Sequence, residues 1–535
     1  MDRRSWLTWI ILCAAGCAGS GDEAGFGGAG DDSSGDADAD TDGDSDADGD
    51  TDTGTGTVPP EVEDEADFRA PQSGRRFVYV ANEARDTVAV IDSETLSIDI
   101  VSVGDSPFVL AAVPGQEAAL VLYRTLPEVG ILRTDDVSGE TSFERLDVQP
   151  GSNRIEVAPD GRHALAFFDP DRETDPRAPE GSYQDVTVIG LSEPRSVRLT
   201  VAFRPMNVIF AAGGAQAYIV TEDALHRLLL DDVREPGIAA VVDIGEAPAD
   251  PTLREIVVTP DGDHVLVRDP DVTTIGVIDV DAQARADVPM SSVPTDVDVS
   301  ADGSEAIVVL RDESTIALLP LPEILNDPWT FRTVSIPGEF FGQAVRADDG
   351  DRVILFTTAL DQESLVVLEL DTEDWLPVRL RKSIRTVGVA PGGEAAIVIH
   401  DRIEEDPFEF ADLEERQDRQ FGYSLVRLDD GFSRLEITEL VNPEPFLMYE
   451  DGTHAFVALR DDASGLRQID AIDLAAFQID TVGVPSPPTA IGAVPDTNQA
   501  FVAQDHESGR ITFIDVESHD TQTVTGFELG AEVVK

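Results

Sequence analysis

The stretch from Arg254 to Asp279, REIVVTPDGDHVLVRDPDVTTIGVID, decides the fold. An alternating apolar run ends in Pro-Asp-Gly; a second run, a polar loop and a third run ending in Asp follow. Alternation with a period of two over five or six residues predicts β-strands. Pro-Asp-Gly predicts a tight turn between two of them, because Pro presets φ and Gly accepts a positive φ. The stretch therefore predicts an antiparallel unit built from hairpins.

The same hairpin recurs along most of the chain. Successive turn residues are 41 to 59 positions apart, and a partial unit begins after Gly74. Four short strands in about 40–50 residues is the size of one propeller blade. We therefore predict an all-β fold, a β-propeller of about ten four-stranded blade units within residues 69–535. The turn residues are Gly115, Gly161, Gly214, Gly262, Gly303, Gly350, Gly393, Gly452 and Thr497.

The two ends of the repeat region predict how the ring closes. The first unit, read from Arg75, lacks its first strand, and the run FELGAEVVK from Phe527 supplies a spare one. A terminal strand that completes the circle would remove the open sheet edges that favour aggregation. We expect one ring closed by this C-terminal strand. Because propellers usually have four to eight blades, the alternative is that some units form a second propeller or an edge module.

The sequence of the repeat resembles the YVTN-type β-propeller repeat family, which is related to lactonase-like and cytochrome-d1-like propellers. YVAN at Tyr79 to Asn82 stands where that family reads Tyr-Val-Thr-Asn, and other units, such as AYIV at Ala217 to Val220, are more degenerate. The resemblance covers about residues 75–535 and implies the fold. Its lactonase-like relatives include enzymes, but the sequence alone does not place their catalytic residues at specific positions of this chain.

The N-terminus resembles a bacterial lipoprotein signal. Arg3 and Arg4 precede a short apolar run that ends in Ala14-Ala15-Gly16-Cys17. The run is too short to span a bilayer, and the last four residues resemble a lipobox. We expect residues 1–16 to be a signal peptide and Cys17 to carry a lipid. Ala18 is not the Asp that commonly signals inner-membrane retention, which favours the outer membrane, on either its periplasmic or its surface side. The alternatives are a soluble secreted protein and, for the export route, a twin-arginine signal.

Residues 17–68 form an acidic segment, which we call the tether. Residues 18–68 contain 18 acidic residues and no Lys or Arg, so we expect an extended, disordered chain. Two D-x-D-x-D-G stretches begin at Asp38 and Asp44, but Gly49 and Thr55 stand where a calcium loop needs Glu. We therefore expect a plain solvated linker and no cofactor; the alternative is weak, diffuse Ca²⁺ association with the tether.

The rest of the chain is acidic as well. Residues 69–535 contain 86 acidic and 36 basic residues. Such a surface repels phosphate backbones, so we expect no nucleic-acid partner. It also repels anionic lipid headgroups, so the membrane contact is assigned to the lipid on Cys17.

The sequence offers no recognisable catalytic, cofactor or metal site. Both cysteines, Cys13 and Cys17, lie in the signal region, so the mature domain has no thiol chemistry. His163, His264 and His454 recur at one repeat position, but equivalent positions of different blades lie apart around a ring. Carboxylates are too numerous for a catalytic pair to be singled out.

Two enlarged loops between second and third strands are the candidate working surface. They span Asp169–Asp185 and Asp401–Gly422, and the second carries Phe408, Phe410 and Leu413. Long insertions on a repeat scaffold usually lie on its working face. These three residues form either a binding site for a protein or polysaccharide partner, or a short helix that caps the ring.

Two functions from different classes remain open on the sequence alone. The favoured one is a non-enzymatic binding or interaction scaffold displayed at a bacterial cell envelope. The alternative is a hydrolase or lyase with its site in the central channel. Convergent His, Arg and carboxylate groups in the channel would favour the enzyme, and small or aliphatic residues would favour the scaffold.

Overall fold

The computed structural model describes residues 72–172, 180–230, 236–347, 350, 352–403, 405 and 412–527. These residues form ten four-stranded antiparallel sheets, and in each sheet four strands consecutive in the chain pair with their neighbours. Each sheet is one blade, so the prediction of about ten four-stranded units is confirmed. Residues between the strands, such as Tyr183 and Lys382, lie in the connections.

The first five blades contain twenty strands. They are, in blade 1, β1 (Gln72–Ser73), β2 (Phe77–Asn82), β3 (Thr87–Asp92) and β4 (Ile98–Ser102); in blade 2, β5 (Pro107–Ala112), β6 (Ala118–Tyr123), β7 (Glu128–Thr134) and β8 (Thr141–Asp147); in blade 3, β9 (Arg154–Val157), β10 (His163–Phe167), β11 (Asp185–Gly190) and β12 (Arg195–Thr200); in blade 4, β13 (Asn207–Ala211), β14 (Gln216–Val220), β15 (Ala224–Leu229) and β16 (Ile238–Asp243); and in blade 5, β17 (Glu255–Val258), β18 (His264–Arg268), β19 (Thr274–Asp279) and β20 (Ala284–Pro289).

The other five blades contain the remaining strands of the described residues. They are, in blade 6, β21 (Asp296–Val299), β22 (Glu305–Leu310), β23 (Thr315–Pro320) and β24 (Arg332–Ser335); in blade 7, β25 (Gln343–Arg346), β26 (Arg352–Phe356), β27 (Ser364–Glu369) and β28 (Trp375–Arg379); in blade 8, β29 (Ile384–Val389), β30 (Ala395–His400), β31 (Phe421–Arg427) and β32 (Ser433–Glu439); in blade 9, β33 (Phe446–Met448), β34 (His454–Asp461), β35 (Leu466–Asp473) and β36 (Gln478–Gly483); and in blade 10, β37 (Pro488–Val494), β38 (Gln499–Gln504), β39 (Arg510–Asp515) and β40 (Thr521–Thr525).

Within the residues that the structure describes, helices occur only as short connections. An α-helix, α1 (Leu413–Asp418), lies between β30 and β31 of blade 8. Single 3₁₀ turns span Glu83–Arg85, Ala212–Gly214, Pro251–Leu253, Arg311–Glu313, Glu323–Leu325 and Pro495–Thr497.

The middle strands of each blade are buried on both faces. In β6 all six residues are buried, and alternate residues pack against opposite neighbours. Leu120 and Leu122 pack in a core with blade 3, whereas Ala119 and Val121 pack in a core with blade 1. This explains why second and third strands read as near-continuous apolar runs, while outer strands such as β8 alternate between exposed and half-buried residues.

The blades close into one ring. Ten apolar cores lie between successive blades, and one of them joins blade 10 to blade 1. In that core Val78 and Val80 of blade 1 pack with Phe501 and Phe513 of blade 10 and with Phe527, which is 3 % exposed. The alternative of a second propeller or an edge module is therefore wrong for the described residues.

Closure differs in one respect from the sequence-based expectation. The first unit has its own inner strand, because β1 pairs with β2 through Gln72↔Tyr79 and Ser73↔Val78. The expectation that this strand is missing was wrong, since two paired residues are too few to show an alternating pattern. Across the junction, Ser73 Oγ donates to Ala493 O over 2.5 Å and Arg75 pairs with Asp496 over 2.8 Å. Blades 1 and 10 thus meet by packing, by side-chain contacts and by a hydrogen bond from the Asp496 amide to Arg75 O over 2.8 Å; residues 528–535 of the predicted closing strand lie outside the described residues.

The glycine turns between first and second strands are constrained by backbone conformation and also by the space between neighbouring blades. The Gly amides of these turns donate to the carbonyl three residues earlier, and the glycines have φ near +70°, for example +74° at Gly303 and +70° at Gly452. Several of these glycines, among them Gly303 and Gly452, also lie against the hairpin of the preceding blade, whereas a Cβ at Gly115 would have no atom within 4 Å. A Cβ at Gly303 would lie 3.2 Å from Pro260 Cδ, and one at Gly452 would lie 1.9 Å from Pro391 O. Glycine is therefore needed for close approach between blades as well as for φ.

Candidate binding face

The meander topology divides the connections between two faces of the ring. Turns between first and second strands and between third and fourth strands lie on one face, which we call the hairpin face. Connections between second and third strands and the links between blades lie on the other, the loop face. Both enlarged loops, Asp169–Asp185 and Asp401–Gly422, are on the loop face because each joins a second strand to a third.

The first enlarged loop builds a group of three aromatic rings, which we call the aromatic stack. Phe168 follows β10, Tyr183 precedes β11, and Phe203 lies in the link from blade 3 to blade 4. The Phe168 and Tyr183 rings meet edge to face at 5.4 Å, and Tyr183 and Phe203 stack almost in parallel at 5.6 Å with an interplanar angle of 10°. Tyr183 is 39 % and Phe203 49 % exposed, so the stack presents aromatic surface to solvent.

Backbone and ionic contacts fix the stack. The Arg204 amide donates to Tyr183 O over 2.7 Å. The Arg204 guanidinium bridges Asp171 at 2.5 Å and Glu222 at 3.2 Å. These contacts tie the enlarged loop of blade 3 to blade 4, so the rings rest on a rigid connection between two blades.

A buried histidine supports the same link. His226, in β15, is 5 % exposed, and its Nε2 accepts the Ala202 amide over 3.0 Å. An accepting Nε2 requires the neutral ring with its proton on Nδ1. Burial lowers the pKa of His226, which favours that neutral form. His226 is thus a structural support for the residue next to Phe203.

The second enlarged loop contains the predicted partner-binding residues. Phe408 and Phe410 lie outside the described residues. Leu413 is the first residue of α1 and is 74 % exposed. The Asp412 carboxylate accepts the Glu415 amide and caps the helix N-terminus. Of the three predicted residues, Leu413 therefore presents an apolar side chain on the loop face.

The helix that carries Leu413 is docked on the ring, as the alternative interpretation expected. The Lys382 side chain is 1 % exposed, and its Nζ donates to Gln417 O over 2.7 Å at the C-terminal end of α1. A cation at this end complements the helix dipole. Burial lowers the pKa of Lys382. The two interpretations are compatible, because α1 caps the ring while Leu413 projects from it.

A second buried histidine lies at the base of this loop. His400 ends β30 and is fully buried; its Nδ1 lies 3.0 Å from Ser383 O and its Nε2 lies 2.7 Å from Ser424 Oγ. Burial lowers the pKa of His400 to about 4. The ring is neutral at physiological pH, donating from Nδ1 to the carbonyl and accepting the hydroxyl proton at Nε2.

Exposed apolar side chains are concentrated on the loop face. Of the large apolar residues that the structure describes as exposed, eight lie on the loop face, three on the hairpin face and three on the third and fourth strands of blade 4. The hairpin-face residues are Val137, Trp329 and Phe432. The loop-face residues are Tyr183, Phe203, Leu253, Val272, Leu360, Ile403, Leu413 and Leu440. They follow the ring from blade 3 to the link between blades 8 and 9.

The inner strands of several blades carry charges, which the enzyme alternative would require. The carboxyl groups of Glu255 (blade 5) and Asp296 (blade 6) are hydrogen-bonded to each other. Asp296 also accepts the Ala344 amide of blade 7 over 2.6 Å, and Glu255 accepts Arg268 Nε over 2.6 Å. Burial, followed by the charge of Glu255, raises the pKa of Asp296 well above its ordinary value. Through these contacts Asp296 joins three successive blades.

Arg154, in the inner strand β9, and Arg254, one residue before the inner strand β17, make similar contacts between blades. Arg154 of blade 3 donates to Met206 O and to Asn207 Oδ1 of blade 4, both over 3.0 Å. Arg254 donates to Glu222 O of blade 4 over 3.2 Å. An innermost strand has a free edge whose backbone groups need partners; Asp296 provides one for the Ala344 amide of β25, whereas the two arginines bind carbonyls in the connections before β13 and after β14. These charged side chains thus stabilise the ring by joining adjacent blades.

The repeated histidines do not form a site. His163, His264 and His454 begin the second strands of blades 3, 5 and 9, so each lies in a different blade. Within the described ranges there is no group of three or more His, Cys, Asp or Glu side chains placed to hold a metal ion.

Cys17 and the whole tether lie outside the described residues. No helix in the part of the chain that the structure describes is long and apolar enough to cross a membrane. The lipid attachment and the envelope location therefore stay predictions.

Comparisons with known proteins place the fold in context. No family model and no curated protein matches the sequence, so the resemblance to YVTN-type repeats stays a prediction. A crystal structure of the eukaryotic initiation factor shares 12% identity over 85% of this chain and 97% of its own length, with a TM-score of 0.48. Dihydro-heme d1 dehydrogenase NirN in complex with DHE shares 12% identity over 88% of this chain and 76% of its own length, with a TM-score of 0.41. The Cps50 (Swd1) beta-propeller domain of Myceliophteria thermophila shares 13% identity over 57% of this chain and 94% of its own length, with a TM-score of 0.32. Similarity at this level carries no argument about the activity, ligand or partner of this chain, which is a ten-bladed β-propeller.

Proposed function

We propose that this protein is an envelope-displayed lipoprotein whose propeller is a binding scaffold, and that it binds its partner through the loop face. The observation that carries the proposal is the concentration of exposed apolar side chains on that face. Exposed apolar side chains mark an interaction surface where they cluster, as Tyr183 and Phe203 do in the aromatic stack. The hairpin face is constrained by close contacts between the turns of successive blades and has less freedom to vary.

The anchor belongs to the same proposal. The lipobox-like Ala14-Ala15-Gly16-Cys17 and the acidic tether support a lipid on Cys17 and display at the outer membrane. The lipid would hold the protein at the membrane, since the acidic propeller has no affinity for anionic headgroups.

The hydrolase or lyase alternative has weaker support. Carboxyl and guanidinium groups do come together near the inner strands of blades 5 to 7. However, Arg268 donates to Glu255, the carboxyl groups of Glu255 and Asp296 contact each other, and Asp296 accepts the backbone amide of Ala344 in the next blade. A catalytic acid or base needs a proton-transfer position open to substrate. The contacts between blades account for these side chains without a substrate.

Site-specific photocrosslinking tests the proposal. A benzoyl-phenylalanine would replace Leu413, Val272 or Leu360 on the loop face, and Val137 or Trp329 on the hairpin face, in the full chain expressed in its native cells. All five positions are exposed, so the two sets are matched. We expect discrete higher-mass adducts at the loop-face positions after irradiation. Adducts confined to the hairpin face, or none at any position, would overturn the proposal.

A further inference from the structure

The aromatic stack is built into the fold before any partner arrives. A Cβ at Gly181 would lie 2.1 Å from Phe168 Cγ, so the Phe168 ring lies directly on the Gly181 backbone. Tyr183 packs on the edge of Phe168, and Phe203 stacks on Tyr183. The hydrogen bonds of the Arg204 and Ala202 amides hold the backbone at Tyr183 and next to Phe203. Binding would therefore require little ordering of these side chains.

The surroundings of the stack are negative. Six carboxylates lie in the adjacent described segments, against two basic residues of those segments, Arg172 and Arg204, and two that reach them from neighbouring strands: Arg154, which pairs with Asp169 over 3.3 Å, and Arg254, which donates to Glu222 O over 3.2 Å. Arg204 is already bridged to two of those acids, and Arg172 lies 3.7 Å from Asp169. The six are Asp169, Asp171, Glu180, Asp185, Glu222 and Asp223. The local excess of negative charge matches that of the whole propeller.

We propose that the aromatic stack binds an arginine or lysine side chain from a basic segment of a protein partner. The inference rests on the proposed function, because it gives the loop face its partner chemistry. An aromatic face attracts a cation through the ring quadrupole, and nearby carboxylates add to that attraction. The same charges repel phosphate, sulfate and carboxylate groups, which makes anionic ligands unsuitable for this site.

A pair of matched peptides tests the charge requirement. One is a fluorescein-labelled Gly/Ser peptide with two arginines, and the other replaces both arginines by citrulline, which has a similar shape and no charge. Binding to the mature protein is followed by fluorescence anisotropy at low and moderate salt. We expect measurable binding of the arginine peptide alone, weakening as salt is added. Equal binding of the citrulline peptide would overturn the inference and indicate apolar or glycan-type docking.

Three variants test the position of the site. Phe203→Leu keeps an apolar side chain but removes the outer aromatic face, Phe203→Tyr keeps the face, and Trp329→Leu removes an exposed aromatic ring on the hairpin face. Because a cation–π contact at an exposed site contributes about 0.5–1 kcal/mol, we expect Phe203→Leu to weaken arginine-peptide binding about two- to fivefold. The other two variants should bind like the wild type, so general attraction to an acidic protein is controlled for.

The outcomes separate this inference from the proposed function. If Phe203→Leu binds the arginine peptide as well as the wild type does, the cation site is refuted. Loop-face crosslinks would still support the scaffold function in that case. If the crosslinks fail, the proposed function fails whatever the peptides show.

Discussion

The turn glycines provide a quantitative test of how the blades are packed. Gly303 and Gly452 occupy the same repeat position and have φ values of +74° and +70°. Replacing either by Ala therefore imposes the same left-handed strain, about 1–2 kcal/mol. The two sites differ in the space for the added Cβ, which would lie 3.2 Å from Pro260 Cδ at Gly303 but 1.9 Å from Pro391 O at Gly452.

The extra cost at Gly452 follows from this contact. A Cβ at 3.2 Å needs a shift of a few tenths of an ångström, whereas one at 1.9 Å must displace the backbone of the neighbouring hairpin by about 1 Å or more. Overpacking of this kind costs roughly 1–3 kcal/mol. We expect Gly452→Ala to lose about 3–4 kcal/mol of unfolding free energy and Gly303→Ala about 1–2 kcal/mol.

Thermal unfolding followed by circular dichroism would measure the difference. In a chain of this size about 1 kcal/mol corresponds to roughly 1 °C in Tm, because the entropy of unfolding grows with length. Gly452→Ala should therefore lower Tm by about 2 °C more than Gly303→Ala does. Equal shifts for the two variants would show that left-handed strain alone sets the need for glycine, and the close approach between successive hairpins would be refuted.

Three further predictions concern His400, the ring junction and the anchor. Because the pKa of His400 is about 4 in the folded protein and about 6.5 when unfolded, its contribution to stability is present above pH 6.5 and is lost as pH falls to about 4. His400→Gln should therefore be less sensitive to acid than the wild type, by up to about 3 kcal/mol in urea titrations between pH 7 and 4; parallel curves would contradict this. Deleting residues 527–535 should cost about 3–5 kcal/mol more than deleting 528–535, because only the first removes the buried Phe527 ring; equal losses in thermal melts would favour closure by the terminal strand instead. Cys17→Ser should move the protein from the membrane to the soluble fraction, and a variant that stays membrane-bound would exclude the lipid anchor.

The repeat could be predicted from the sequence because its signals are local. Alternation and turns such as Pro260 to Gly262 indicate hairpins within a blade. Nine such turns and one partial unit predict ten blades. The two-residue strand β1 carries no such pattern, so its presence could not be predicted. The contact of Gly452 with Pro391 joins different blades, and no spacing within one unit reveals it.

The candidate site was predicted only in part, for a similar reason. The enlarged loops were identified from their length, but the aromatic stack combines Phe168 and Tyr183 of one connection with Phe203 of the next. Tyr183 in SYQD and Phe203 in AFRP are aromatic residues in polar stretches, and this was the available signal. Lys382 lies in LRKSIR, where its burial against α1 has no local signature.

The topology also relates the binding face to the anchor. The first strand of each blade runs from the loop face to the hairpin face, so the chain enters β1 at Gln72 from the loop face. A lipid on Cys17 would be separated from Gln72 by 55 positions, which corresponds to about 40 Å for a flexible chain and more for one extended by like charge. On the proposed function, the loop face would therefore be on the same side as the anchor, separated from the membrane by the reach of the tether. A partner would approach through that space, and the negative charge of both tether and propeller would draw a basic segment towards the aromatic stack while repelling anionic molecules.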